Sequence, residues 1–169
     1  MEAAGRRHGL AVVNPTVILG PLLDNDPGTS NDLLLQALRG RLPAVPRLDF
    51  NFVDVRDVAA LLVKAMEAPE AGGERYLAAA GQMSLKEVAA TLRTAFPAYA
   101  NKLPRLELPD WAVRVAAAVS PTARAAAAQL GQSKVIDNRR ALALLGHPFI
   151  APADSVIATG RSLIERGLV

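Results

Sequence analysis

The order of segments along this 169-residue chain predicts an α/β fold. Three observations carry that prediction. The run Leu10-Ala11-Val12-Val13 is apolar without alternation, as expected of a parallel strand buried on both faces. Later stretches repeat their apolar residues at helical spacing, with Val58, Leu61, Leu62, Ala65 and Met66 as the clearest case. Between them lie short strand-like runs bounded by Pro and Gly, so helix and strand alternate.

Taken in order, the opening MEAAGRRHG reads as the last turns of a helix. Arg6, Arg7 and His8 face the negative end of its dipole and Gly9 stands where a left-handed cap belongs. No N-cap precedes it, so the chain reads as one entered midway. Thr29 or Ser30 caps a helix with Leu33, Leu34, Ala37 and Leu38 on one face, stopped at Gly40. Residues 50–55 form a strand; Asp54 or Arg56-Asp57 opens the next helix, which Pro69 and Gly72-Gly73 stop. Residues 75–78 make a short strand. Ser84-Leu85-Lys86-Glu87 is a capping box for a helix reaching Phe96, closed by Pro97. Residues 101–109 are extended, and 111–130 are helical with a break near Ser120-Pro121. Asp137-Asn138 starts a helix ended by Gly146. Pro152 begins the last one, with Val156, Ile157, Leu163 and Ile164 inward.

Composition narrows the chemistry. With no cysteine, a disulfide scaffold and a thiolate-held metal are excluded, and a reducing cytoplasmic setting is the expectation. Two histidines far apart give no metal site. The charge of +3 comes from scattered basic residues without aromatic interleaving, so no nucleic acid is expected as a partner. The most hydrophobic window, 111–130, contains Arg114, Pro121 and Arg124, too interrupted to span a bilayer; no membrane partner is expected.

Two groups of residues invite a functional reading. Asn14-Pro15 falls just past a predicted parallel strand, where open α/β sheets bind ligands. Proline there should stop the ladder, leaving the amides of Val17 and Ile18 free for a polar group such as a carboxamide. Asp54 and Asp57 resemble a carboxylate pair. Their place at a strand-to-helix junction favours a structural role instead: one caps, the other meets the positive first turn, and Arg56 neutralises. His147 reads as a turn residue after a helix, and Trp111 as a helix anchor rather than a pocket wall.

NPTVILGP, then TSNDLLLQALRGRLP, FNFVDVRDVAALLVKAMEAPEAGGERYLAA and the ending DNRRALALLGHPFIAPADSVIATGRSLIERGLV resemble, in this order, the C-terminal half of the extended short-chain dehydrogenase/reductases. The branch is that of dihydroflavonol, cinnamoyl-CoA and related aldehyde and ketone reductases. The resemblance covers essentially the whole chain. It implies the C-terminal part of a Rossmann-like doubly wound sheet plus a small, mainly helical α/β substrate-binding region. Residues 1–28 would be a remnant of the cofactor domain and 29–169 mostly substrate-binding, with 50–68 returning to the Rossmann sheet. It also implies that Pro15, Val17 and Ile18 meet the nicotinamide end of NAD or NADP, and that Ser30 lies near the cofactor's amide or phosphate side.

Epimerases and dehydratases of nucleotide sugars in the family often read Arg-Pro-x-Asn-Val-Tyr-Gly-Pro. Asn14, Val17 and Leu19 stand at the first, fourth and sixth of those positions, which favours an apolar pocket for a small-molecule carbonyl substrate. The Gly-rich phosphate turn and the Tyr-x-x-x-Lys pair that the family uses upstream are not found in these 169 residues; Tyr99 and Lys102 are one residue too close. The chain therefore reads as the substrate-binding half of a reductase, incomplete as written and not expected to hold cofactor tightly alone. A stand-alone small-molecule-binding module and half of a nucleotide-sugar epimerase are the alternatives. The strand 10–13 would leave an unpaired edge, open to homo-oligomer formation.

Overall fold

The computed structural model describes residues 10–169; the helix expected at residues 1–9 lies outside them. The strands are β1 (Val12–Pro15), β2 (Val17–Leu19), β3 (Ala44–Pro46), β4 (Asp49–Asp54), β5 (Arg75–Ala78), β6 (Gly81–Ser84) and β7 (Leu106–Leu108). The helices are α1 (Gly28–Leu38), α2 (Val55–Glu67), α3 (Leu85–Ala95), α4 (Asp110–Ala116), α5 (Pro121–Gln129), α6 (Arg139–Leu145) and α7 (Pro152–Glu165). The fold is α/β with parallel pairing throughout except at one strand. β1 runs parallel to β5, β2 to β4 and β3 to β7, while β6 lies antiparallel on the far side of β4.

Strand β4 separates two cores. Because neighbouring side chains on a strand point to opposite faces, Phe52 joins Leu19, Leu34, Leu38, Leu92, Val156 and Leu163 on one side. Val53 joins Val58, Leu61, Tyr76, Ala78, Ala141 and Leu145 on the other. The first core is roofed by α1, α3 and α7, the second by α2 and α6. This double burial is why both residues are apolar and fully enclosed.

Most element boundaries follow the sequence signals. Ser84 closes the capping box: its hydroxyl accepts from the Glu87 amide at 3.2 Å while the Glu87 carboxylate accepts from the Ser84 amide at 2.7 Å. Gly146 ends α6 at φ +78°, and the break at 120–121 separates α4 from α5.

Three expectations are corrected. Pro15 does not end the ladder: it pairs with Ala78, the Thr16 amide donates to the Ala78 carbonyl at 3.0 Å, and β2 then starts on β4. The chain changes partner strand at Pro15-Thr16 instead of leaving the sheets. Neither Thr29 nor Ser30 caps α1, whose N-cap is Pro27; Asp26 accepts from the Gly28 amide at 2.9 Å. Strand β1 is joined by β5, and α2 packs Val58 and Leu61 into one core with Val13. Trp111 is 69% exposed, and Val113 is the residue that buries α4.

Candidate functional site

A cavity of about 280 Å³ opens where the chain passes from β1 to β2. Val17, Phe50 and Ile136 supply its apolar wall, and Thr16, Asp49, Asn51, Gln129, Gln132 and Lys134 its polar part. Thr16 is fixed there because both its amide and its hydroxyl donate to the Ala78 carbonyl, at 3.0 and 3.2 Å. Phe50 and Asn51 come from β4, one turned to each side of the strand. Lys134 and Ile136 come from residues 130–138, which have no helix or strand.

A larger cavity of about 370 Å³ lies between Arg47, Glu107, Asp110 and the turn at 131–133. Arg47 is matched to Asp110 at 3.3 Å and Glu107 to Lys86 at 3.0 Å, which leaves Asp49 as its unpaired charge. Asp49 and Gln132 line both cavities, but Thr16 and Val17, at the carboxyl end of β1, line only the smaller one, which is the better candidate.

Val17 lines the candidate cavity and Pro15, exposed, sits two residues before it. Ile18 points instead into the core beneath α2 and α6. Ser30 is exposed in the first turn of α1, outside the cavity wall. In a parallel ladder only alternate residues turn their peptide groups to the partner strand. Of the Val17 and Ile18 amides, one is therefore taken by β4 and one is turned away, against the expectation that both are free. Phe50, Asn51, Lys134 and Ile136 were not singled out from sequence. Asn51, polar between two phenylalanines in a strand, was the one available signal.

The carboxylates at the start of α2 form a structural clasp. Asp54 is fully buried; it accepts from the Arg56 amide at 2.9 Å, from Arg56 Nε and Nη2 at 2.8 Å each, and from Ser155 Oγ at 2.8 Å. Burial alone would push this carboxyl up. The bonds from Arg56 and Ser155, with the Arg56 charge, outweigh it and hold the group below the ordinary carboxylate range. Asp57, also buried, accepts from the Ile150 amide at 2.8 Å and so ties α2 to the turn before α7. His147 makes a local contact with the Pro148 carbonyl at 2.9 Å, as a turn residue should. The Lys102 ammonium lies 5.2 Å from the centre of the Tyr99 ring, a cation–π contact on the ring rather than a pair at the hydroxyl. Among the described residues no cluster of side chains suits a metal ion, and no helix is long and apolar enough to cross a membrane.

No family model matches the chain. It is similar to ketoreductase azaE of Aspergillus niger, with 34% identity over 109 residues, 60% of this chain and 32% of that protein. Similarity to cinnamoyl-CoA reductase 1 of Oryza sativa is 39% over 98 residues, 58% of this chain and 29% of that protein. The chain thus spans about a third of the length of the curated relatives it matches. Among solved structures, yeast methylglyoxal/isovaleraldehyde reductase Gre2 with NADPH superposes with a TM-score of 0.70 at 23% identity, over 95% of this chain and 45% of that one. A nucleoside-diphosphate-sugar epimerase of Pseudomonas aeruginosa gives 0.71 at 21%, over 96% and 51%; these two likenesses speak for the fold. Sequence likeness to the ketoreductase and cinnamoyl-CoA reductases is confined to one part of those proteins: the chain is similar to a portion of the extended short-chain dehydrogenase/reductases and shares the α/β fold of that portion.

Proposed function

We propose that this chain is the substrate-binding part of an NAD(P)-dependent reductase acting on a ketone, aldehyde or related carbonyl, in the cytoplasm. The observation that carries the reading is the cavity at the carboxyl end of β1: an apolar patch of Val17, Phe50 and Ile136, ringed by the neutral polar groups Thr16, Asn51, Gln129 and Gln132, with Asp49 and a single cation, Lys134. A carbonyl compound with an apolar body matches that patch, and the neutral hydroxyl and amides around it can donate to the carbonyl oxygen. A sugar diphosphate would need more cationic donors than Lys134 supplies.

The residues present fit the nicotinamide end of a dinucleotide in one respect. Pro15 has no amide and the Thr16 amide is spent on Ala78, which leaves the one amide of Val17 or Ile18 that faces away from β4 to receive a carboxamide oxygen. Ser30 is the proposed contact toward the amide or phosphate side. When bound, the dinucleotide supplies the hydride. The part of this chain is to seat the ring edge along residues 15–18, to hold the carbonyl compound against it, and to keep water from the apolar wall. The proton donor and the pyrophosphate turn belong, in this reading, to a part of the reductase that these 169 residues do not contain, so tight cofactor binding by the chain alone is not expected.

The test joins the chain to a polypeptide carrying the Gly-rich turn and the Tyr-x-x-x-Lys helix, then measures NADPH binding and NADPH-dependent reduction of a ketone panel. Pro15→Ala and Ser30→Ala should both weaken NADPH binding; unchanged binding in both sinks the cofactor assignment. Ketone binding with no hydride transfer favours the stand-alone binding module. Turnover that requires a nucleotide-linked sugar favours the epimerase.

A further inference from the structure

We infer that residues 132–136 form a fixed partition limiting this site to substrates with a single ring or a short chain, and that Asn51 is the positioning residue that holds the partition. The inference rests on reading the 280 Å³ cavity as the carbonyl pocket.

A second cavity, of about 260 Å³, lies directly behind the first. Asn51, Lys134 and Ile136 line both. They are the wall between two spaces that, joined, would offer roughly twice the room of either. The first cavity alone is at or just below the lower end of small-molecule sites, which run from about 300 to 1,000 Å³. The joined space would sit well inside that range. The wall therefore decides substrate length.

Its backbone has no ladder or helix to hold it. Side chains hold it instead, at three points. Asn51 Nδ2 donates to the Lys134 carbonyl at 2.9 Å, Ser133 Oγ donates to Gln82 Oε1 at 3.1 Å, and Asn138 Nδ2 donates to the Ala79 carbonyl at 2.6 Å. The segment is extended across β4 and β6 between these ties. Ile136 is the half-buried residue of the strap and lines both cavities, whereas Val135, 97% exposed, borders only the second. Asn51 is the tie at the wall itself: its amide fixes the strap and its own side chain is part of the barrier.

The test is an amide-resolved NMR titration of the protein with acetophenone and with 2-acetonaphthone, two unreactive ketones that differ by one fused ring. Acetophenone is expected to shift the amides of Val17, Asn51 and Ile136, and 2-acetonaphthone to bind at least about tenfold more weakly, the discrimination a tight apolar pocket achieves. Ile136→Ala thins the wall without touching a tie, and Asn51→Ala cuts the tie; both should narrow the gap to within about threefold. Unshifted amides at Val13 and Tyr76 certify that each variant is folded, and two variants guard against loss of one. Equal binding of the two ketones by the parent chain, no shift at the cavity with either, or an unchanged gap in both variants would overturn the partition. A narrowed gap in a protein that, joined to the cofactor half, transfers no hydride from NADPH overturns the reductase reading and leaves the partition standing. Hydride transfer with an unchanged gap does the reverse.

Discussion

Replacing Asp54 separates its two jobs. As an N-cap it satisfies the Arg56 amide, and as a buried acceptor it satisfies Ser155 Oγ, both below 3 Å. Asp54→Ala removes the cap, costing about 1 kcal/mol. It also strands the hydroxyl of fully buried Ser155, another ~1–3 kcal/mol. The Arg56 side chain is 52% exposed, so its charge returns to water and adds little. The expected loss is about 2–4 kcal/mol. Asp54→Asn keeps a good cap and an acceptor for Ser155 and loses only the charge-assisted bonds, roughly 1 kcal/mol. Urea unfolding followed by far-ultraviolet circular dichroism measures both, as shifts in midpoint at constant slope. The folded-state pKa of Asp54 lies below its ordinary value of 3.8. Its contribution is therefore fully present above that value and is lost as pH falls through the lower, folded-state value. Asp54→Asn should consequently converge on the parent chain below pH ~3.8 and separate from it at neutral pH. Equal losses in the Ala and Asn variants, or an Asn gap that does not shrink in acid, would refute this account of the clasp.

Other consequences can be measured alongside. A Cβ at Gly160 would stand 2.6 Å from Phe96 Cε2 and 2.9 Å from Leu92 Cδ2, so Gly160→Ala should destabilise by about 1–3 kcal/mol despite its better helix propensity; a rise in Tm would show that α3 and α7 part easily. Thr159→Val removes the acceptor for the Gly20 amide, a 2.7 Å bond between buried groups, and should cost about 1–3 kcal/mol in urea unfolding. Ser84→Ala breaks the capping box of α3 and should cost about 1 kcal/mol in urea unfolding; Glu87 should stay below its ordinary range, because the backbone amide of residue 84, the larger cause, remains. On α2, Leu62, Val63 and Met66 are 49, 52 and 86% exposed. The chain alone should self-associate through such apolar surface, and Val63→Lys with Met66→Lys should return it toward monomer in sedimentation; a monomeric parent chain that melts cooperatively at low micromolar concentration would contradict this.

What the sequence makes legible here is local chemistry. Ser84 and Glu87 announce α3 because the box is closed within four residues. Gly146 and Pro152 announce ends and starts for similarly short-range reasons. The role of Asp54 and Asp57 was also readable, since capping needs only the neighbouring amide. Their second partners, Ser155 and the Ile150 amide, were not, for they lie about a hundred residues on. The start of α1 misled because Thr29 and Ser30 satisfy the usual cap composition while Asp26, two residues before Gly28, makes the bond.

The site shows the same division in sharper form. The stretch 14–21, proposed above as the cofactor edge, is contiguous and could be found by motif. The cavity wall is assembled from β2, β4 and a strap some eighty residues away, and that strap carries no periodicity because it forms neither helix nor strand. The ties to Asn51, Gln82 and Ala79, with those of Gln132 to the end of α5, give residues 132–136 a definite place. A segment of that kind can change its residues without disturbing either core. The stretch 12–19 is held instead by backbone pairing with β5 and β4, so its place in the fold does not hang on single side chains.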